Sequence, residues 1–237
     1  MNKITNSINN NQHKGVFISI EGIDGSGKST LVKNLVKKLE EQGQDVLLLR
    51  EPGGTQLGEN IRNVLLQPGQ VVSTASELLL FNAARAQLIR EVIQPALSQG
   101  KVIIVDRFVD STYVYQSFAK GIPFEQVQLL HETFCDNLYP DITLLLDLPL
   151  SIAQQRRQVR EKQSEGKGKD RIEEEGETLQ EKVAVGFAFL ADKFSLRIQK
   201  IDATKKPEKM VNDALICLQK FLPMRDLEKD KINDISI

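Results

Sequence analysis

Two rhythms of apolar residues alternate along this chain. Short runs dense in Val, Ile and Leu occur at 16–20, 45–49, 102–105, 142–146 and 196–201, with the length and composition of buried strands. Between them apolar positions recur every three or four residues, most clearly at Leu31, Val32, Leu35, Val36 and Leu39. That spacing predicts a first helix ended by Gly43, then helices near 57–66, 75–97, 110–118, 123–137, 151–160, 177–194 and 207–221. The third of these should be deflected near Pro95, which cannot donate a helical hydrogen bond. Strands and helices in regular alternation predict an α/β fold: a five-stranded parallel sheet with helices on both faces.

The pattern lapses in three places. Residues 1–14, rich in Asn, and 223–237, alternating in charge, offer nothing to bury and read as a disordered extension and a peripheral tail. Residues 162–176 are almost all charged or Gly, which suggests a mobile lid (taken as 157–176) inside a single domain of 15–222. Composition adds exclusions. Among 237 residues, 41% are hydrophobic and 27% charged, the net charge is −1, and no run approaches a membrane span. Neither a nucleic acid nor a membrane partner is expected, and any basic site must be local. Two cysteines without metal-ligand spacing suit a reducing cytoplasm.

The chemistry begins between the first strand and the first helix. Residues 22–29 read G-I-D-G-S-G-K-S, the G-x-x-x-x-G-K-S phosphate-binding loop, in its proper strand-to-helix setting. Its glycines let the backbone wrap a polyphosphate at the positive end of the helix. Lys28 would bridge the outer phosphates and the Ser29 hydroxyl would hold Mg²⁺. Asp106, ending the third strand, stands where a second metal-orienting carboxylate belongs. Arg50, Arg62, Arg85 and Arg107 all fall at the carboxyl ends of strands or on the helices that follow, the edge where such sheets bind ligands. Several guanidinium groups suit an acceptor that is itself a phosphate. Each arginine also has a plainer reading: Arg107 as partner of Asp106 or Asp110, Arg62 as a helix-surface residue.

Six motifs in order resemble bacterial thymidylate kinase: E-G-I-D-G-S-G-K-S-T at 21–30, R-E-P-G-G-T-Q at 50–56, F-N-A-A-R at 81–85, D-R-F-V-D-S-T-Y-V-Y-Q at 106–116, D-R-I-E at 170–173 and I-D-A-T at 201–204. The likeness spans about 15–221. It implies a P-loop nucleotide kinase fold, dTMP and ATP as substrates, Mg²⁺ as cofactor, dTDP and ADP as products, and a homodimer. ATP would be held by Gly22, Gly25, Ser26, Gly27, Lys28, Ser29 and Thr30, with Arg156 beside adenine. The acceptor pocket would comprise Asp24, Arg50, Glu51, Pro52, Arg62, Phe81, Arg85, Arg107, Ser111, Thr112, Tyr115 and Gln116. Within it Phe81 stacks on the base, Arg85, Thr112 and Gln116 read its polar edge, Tyr115 lies against the sugar, and Arg50, Arg62 and Arg107 grip the phosphate. Phe81 and Arg85, four apart, share one helix face; by itself Phe81 reads more readily as a core aromatic. Catalysis would fall to Lys28, Asp24, Arg107 and a lid arginine, because Gly25 stands where one branch of the family carries arginine. Arg171 is the first choice, Arg160 a weaker one, and the extended segment 158–169 leaves the alignment of Arg157 and Arg160 open.

Two other functions share parts of this pattern. A deoxynucleoside kinase, or another pyrimidine nucleoside monophosphate kinase, has the same loop; the former needs a carboxylate base and fewer acceptor arginines. A regulatory GTPase needs an N-K-x-D or T-K-x-D guanine reader, and the chain has neither tetrapeptide.

Overall fold

The computed structural model describes residues 13–163 and 170–222. Most of the expected N-terminal extension, the tail 223–237 and the centre of the expected lid lie outside the described residues. Among the described residues, five strands form one all-parallel sheet in the order β2-β3-β1-β4-β5. They are β1 (Val16–Glu21), β2 (Val46–Arg50), β3 (Val102–Asp106), β4 (Ile142–Asp147) and β5 (Ile198–Asp202). All six residues of β1 are buried, so alternating side chains are covered on both faces of the sheet. The edge strands β2 and β5 are only partly covered.

The helices are α1 (Lys28–Glu41), α2 (Gln56–Leu66), α3 (Thr74–Leu88), α4 (Gln94–Ser98), α5 (Val109–Thr112), α6 (Phe124–Phe134), α7 (Leu150–Gln163), α8 (Gly176–Lys193) and α9 (Pro207–Leu218). Their ends follow local chemistry. Gly43, at φ 76°, terminates α1 in the left-handed region, while the Thr55 and Ser73 hydroxyls cap α2 and α3.

The expected long helix over 75–97 is present but changes pitch. Between α3 and α4, residues Ile89–Ile93 form a π turn, closed by the Gln94 N–H on the Ile89 carbonyl. Pro95 lacks an N–H and its ring crowds the carbonyl four residues earlier, so the turn before it widens. A second π segment, Tyr113–Ala119, continues α5 where an ordinary helix was expected. Helix α6 stops at Phe134, short of the expected 137, because Asp136 and Asn137 take positive φ. Val183, Phe187 and Leu190, the apolar face of α8, are core residues, each no more than 4% exposed.

All five strands deliver their carboxyl ends to one edge. There β1 feeds the loop 22–27, β2 feeds 51–55, β3 feeds Arg107 and α5, and β4 leads into α7. A side cluster of Ile61, Leu65 and Ala84, joined by Leu80 and Phe81, fixes α2 against α3 and forms one wall of the cleft above this edge.

Candidate active site

The loop after β1 is shaped by glycines in the left-handed region, with φ 145° at Gly22, 86° at Gly25 and 98° at Gly27. Gly25 has a second reason to lack a side chain. A Cβ there would lie 2.6 Å from the Ala153 carbonyl, so the glycine lets α7 press onto the loop. No side chain caps α1, and its first-turn N–H groups open toward the loop where Ser29 and Thr30 stand exposed. The Lys28 ammonium donates to the Gly22 and Ile23 carbonyls at 3.0 and 3.2 Å and lies 3.8 Å from Asp24. Burial, and then the Arg107 charge, bring its pKa down to about 8. Ser26 Oγ and Asp106 Oδ1 are buried with no protein partner.

Beside the loop a cleft is lined by every expected acceptor residue except Arg50. Arg85 anchors its floor at 1% exposure. Its Nε meets Glu51 Oε2 at 3.0 Å, Nη2 meets the Thr112 hydroxyl at 2.6 Å, and Nη1 has no protein partner. Burial opposes the charge on Arg85, yet the adjoining Glu51 carboxylate holds its pKa above the ordinary value. Removing either partner would strand a buried charge, typically a loss of about 3–5 kcal/mol. Phe81 forms the opposite wall, and Tyr115, Gln116 and Ser111 complete it from the helical segment after β3. Arg62 enters from α2 with Nη1 on the Pro52 carbonyl at 3.0 Å.

Arg107 is the hinge between the two halves. At φ 67° it leaves β3 by a sharp turn, and its guanidinium reaches Asp24 at 2.5 Å, the Gly22 carbonyl at 3.3 Å and the Ser111 hydroxyl at 3.2 Å. It lies over the Tyr115 ring, 5.4 Å from its centre. Burial works against the charge, but Tyr115, Asp24, Glu21 and Asp106 together raise its pKa. The plainer pairing with Asp110 is not seen: Asp110 is held by both terminal nitrogens of Arg197 at 2.6 Å.

Two arginines expected in the site are elsewhere. Arg50 ends an edge strand, stands exposed and pairs with Glu59 at 2.9 Å, so it does not line the cleft. Arg171, the first choice for the transferring phosphate, donates Nε to the Leu65 carbonyl at 2.7 Å and Nη2 to Glu77, which ties it to α2 and α3. Arg157 takes the place over the loop: its Nη1 donates to the Asp24 carbonyl at 2.8 Å and its Nη2 to Glu177 at 2.7 Å. Arg160 is exposed and pairs with Glu173 at 2.7 Å. Arg156 bridges the Ser26 and Ala203 carbonyls at 3.4 and 3.1 Å, at the rim where the loop meets the end of β5.

Three supporting residues have no role assigned by the motifs, although Glu21 opens the first of them. Glu21 is fully buried and accepts from the Phe108 N–H at 2.7 Å and the Ser111 hydroxyl at 2.6 Å, which pins the turn carrying Arg107. Burial, and then Asp110, push its carboxyl up to about 7. Gln180 clasps Asp24 twice, accepting from its N–H at 3.3 Å and donating to Oδ2 at 3.0 Å. Glu77 is the third. Helical spacing marked Glu77 and Gln180 only as positions, since neither belongs to a phosphate-binding pattern. His131 is a core residue: its Nε2 donates to the Leu138 carbonyl at 2.8 Å, and burial brings its pKa to about 3.

Comparison with known proteins agrees with this geometry. The family model described as thymidylate kinase matches residues 20–214. A thymidylate kinase of Thermoanaerobacter sp. (strain X514) is 41% identical over 209 residues, covering 88% of this chain and all of that protein. One from Caldanaerobacter subterraneus subsp. tengcongensis is 44% identical over 193 residues, covering 81% of this chain and 89% of its own. The crystal structure of thymidylate kinase from Ehrlichia chaffeensis superimposes with a TM-score of 0.66 at 33% identity, covering 86% of this chain and 99% of that one.

Proposed function

The chain belongs to the thymidylate kinase family, and from that premise we infer that it transfers the γ-phosphoryl group of ATP to dTMP, giving dTDP and ADP for dTTP synthesis. The observation that carries this reading is the joining of two anion sites through one residue. Arg107 touches the phosphate-loop carbonyl of Gly22 and also lines the cleft that holds Arg62 and Arg85. A phosphate oxygen of dTMP attacks the γ-phosphorus in line. The acceptor is already anionic near neutral pH, so no general base is required, and catalysis is positioning plus neutralisation of charge. Arg62 and Arg107 hold the acceptor phosphate; Lys28 and Arg157 face the group in transit. Asp24 keeps Arg107 and Lys28 apart and oriented. Its own pKa stays low despite burial, because Arg107, Lys28, Arg160 and Arg157 surround it.

Asp106 Oδ1, buried without a protein partner, and the exposed Ser29 hydroxyl fit a Mg²⁺ ion arriving with ATP. When bound, such an ion offsets charge on the phosphate oxygens. Phe81 stacks on the base, a contact of about 1–3 kcal/mol that does not choose among bases, so selection rests on Arg85 Nη1, Thr112 and Gln116. We assign the protein to the cytoplasm on its free cysteines; no described helix is long and apolar enough to cross a membrane. A homodimer is expected through apolar positions left uncovered, such as Leu79 on α3 and Leu129 and Phe134 on α6.

The test is coupled ADP release with MgATP and, in turn, dTMP, dUMP, UMP, dCMP and thymidine. Turnover highest with dTMP is expected. Thymidine phosphorylated faster than dTMP would overturn the assignment in favour of a nucleoside kinase.

A further inference from the structure

Glu77 is a buried carboxylate behind the cleft for which the transfer reaction has no use. It is 0% exposed, yet it gathers donors from two other elements. Gln116 Nε2 donates to its Oε1 at 2.8 Å, Lys120 Nζ reaches Oε1 at 2.8 Å and Oε2 at 3.0 Å, and Arg171 Nη2 donates to Oε2. Burial alone would raise its pKa, but these partners reverse the direction and keep it ionised.

An ionised carboxylate can only accept hydrogen bonds, whereas a glutamine amide has one donating and one accepting end. Gln116 must therefore turn its NH₂ toward Glu77. The carbonyl oxygen is the end left for the cleft, whose wall Gln116 forms. Arg85 lines the same cleft, and its Nη1 is a buried donor with no protein partner. The wall thus offers one acceptor and one donor. A pyrimidine with an N3–H and a C4 carbonyl matches both, while cytosine, with a bare N3 and a C4 amine, opposes both.

We propose that Glu77 is a positioning residue for base choice: by fixing the direction of the Gln116 amide it makes the site accept a 4-oxo pyrimidine monophosphate and refuse a 4-amino one. The proposal rests on the reading above that dTMP occupies this cleft with its base against Gln116. It also gives Arg171 a role, since Arg171 and Lys120 draw on the same carboxylate and hold it in place.

In Glu77→Gln, Arg171, which binds only Oε2, keeps the new amide oxygen on its side, whereas Lys120 reaches both positions and favours neither. The new NH₂ then confronts that of Gln116, and relief requires Gln116 to rotate by half a turn and present a donor to the cleft. The measurement is kcat/KM for dTMP and for dCMP with wild type, Glu77→Gln, Lys120→Met and Gln116→Ala. The dTMP-to-dCMP ratio should fall at least about tenfold in Glu77→Gln, since a site built for one hydrogen-bond polarity discriminates steeply. It should stay within about twofold in Lys120→Met, which removes a charge but leaves Oε1 an acceptor. A structural defect would depress both substrates together and leave the ratio alone. If melting shows Glu77→Gln unfolded, the charge-balanced double variant Glu77→Gln/Lys120→Met replaces it. An unchanged ratio in the Gln variant, alongside a lowered one in Gln116→Ala, overturns the role of Glu77 and leaves the assignment of Gln116 standing. An unchanged ratio in Gln116→Ala overturns both.

Discussion

The acceptor and donor sides of Asp24 are built differently. On the acceptor side the recognising groups are locked by other buried side chains: Arg85 by Glu51 and Thr112, Gln116 by Glu77, Arg107 by Asp24 and Ser111. On the donor side the cations rest mainly on backbone carbonyls, most of them in the loop: Lys28 on Gly22 and Ile23, Arg156 on Ser26 and Ala203, Arg157 on Asp24, with Glu177 as the second partner of Arg157. A side-chain lattice fixes shape and polarity, which suits choosing one base. Cations held by neutral carbonyls can be drawn over to phosphate oxygens, a stronger, charge-assisted partner, which suits a polyphosphate recognised by charge.

Substitutions can break this contrast in order of expected size. Lys28→Ala should lower kcat by about 10³-fold or more, with an unchanged circular dichroism spectrum, because the loop has no other buried ammonium for the transferring group. Retained turnover would remove Lys28 from the chemistry. The two lid-side arginines should then separate. Arg157→Ala should cut kcat by about 10²–10³-fold with little change in KM. Arg171→Ala, which takes one of two cations from the buried Glu77 and leaves it Lys120, should instead cost stability, about 1.5–3 kcal/mol in urea unfolding. Equal kcat losses in both would refute the reassignment from Arg171 to Arg157. Arg107→Ala should weaken dTMP binding at least about tenfold more than thymidine binding, because it serves the phosphate. Calorimetry with both ligands checks this, and equal losses would show that Arg107 does not hold it.

Lys28 also sharpens the donor side through pH. With its pKa brought down to about 8, the free enzyme loses the ammonium above that pH, whereas a bound polyphosphate favours the charged form. ATP binding should therefore take up a proton above pH about 8, and affinity should decline by up to about tenfold per pH unit. Titration calorimetry at pH 9 in buffers of different ionisation enthalpy measures the uptake; none would place the Lys28 pKa elsewhere. The smallest effect belongs to Arg50→Ala. An exposed pair such as Arg50–Glu59 contributes about 0–1 kcal/mol, so kcat/KM for dTMP should change less than about threefold. A larger loss would return Arg50 to the acceptor site.

The chain's own pattern determined the strand–helix alternation, the phosphate loop and the spacing that puts Phe81 and Arg85 on one face. These are local facts, fixed by residue type, periodicity and the conformational freedom of glycine. What it left open were contacts between segments far apart in the chain. Motif order pointed to Arg171, but Arg157 sits over the loop because Gly25 admits α7 against it and Glu77 claims Arg171 from 94 residues away. The direction of the Gln116 amide, the outward turn of Arg50 and the π pitch of Tyr113–Ala119 were likewise settled only by tertiary structure. A side chain with several possible partners takes the one that packing brings within hydrogen-bond reach, and packing is a property of the whole fold.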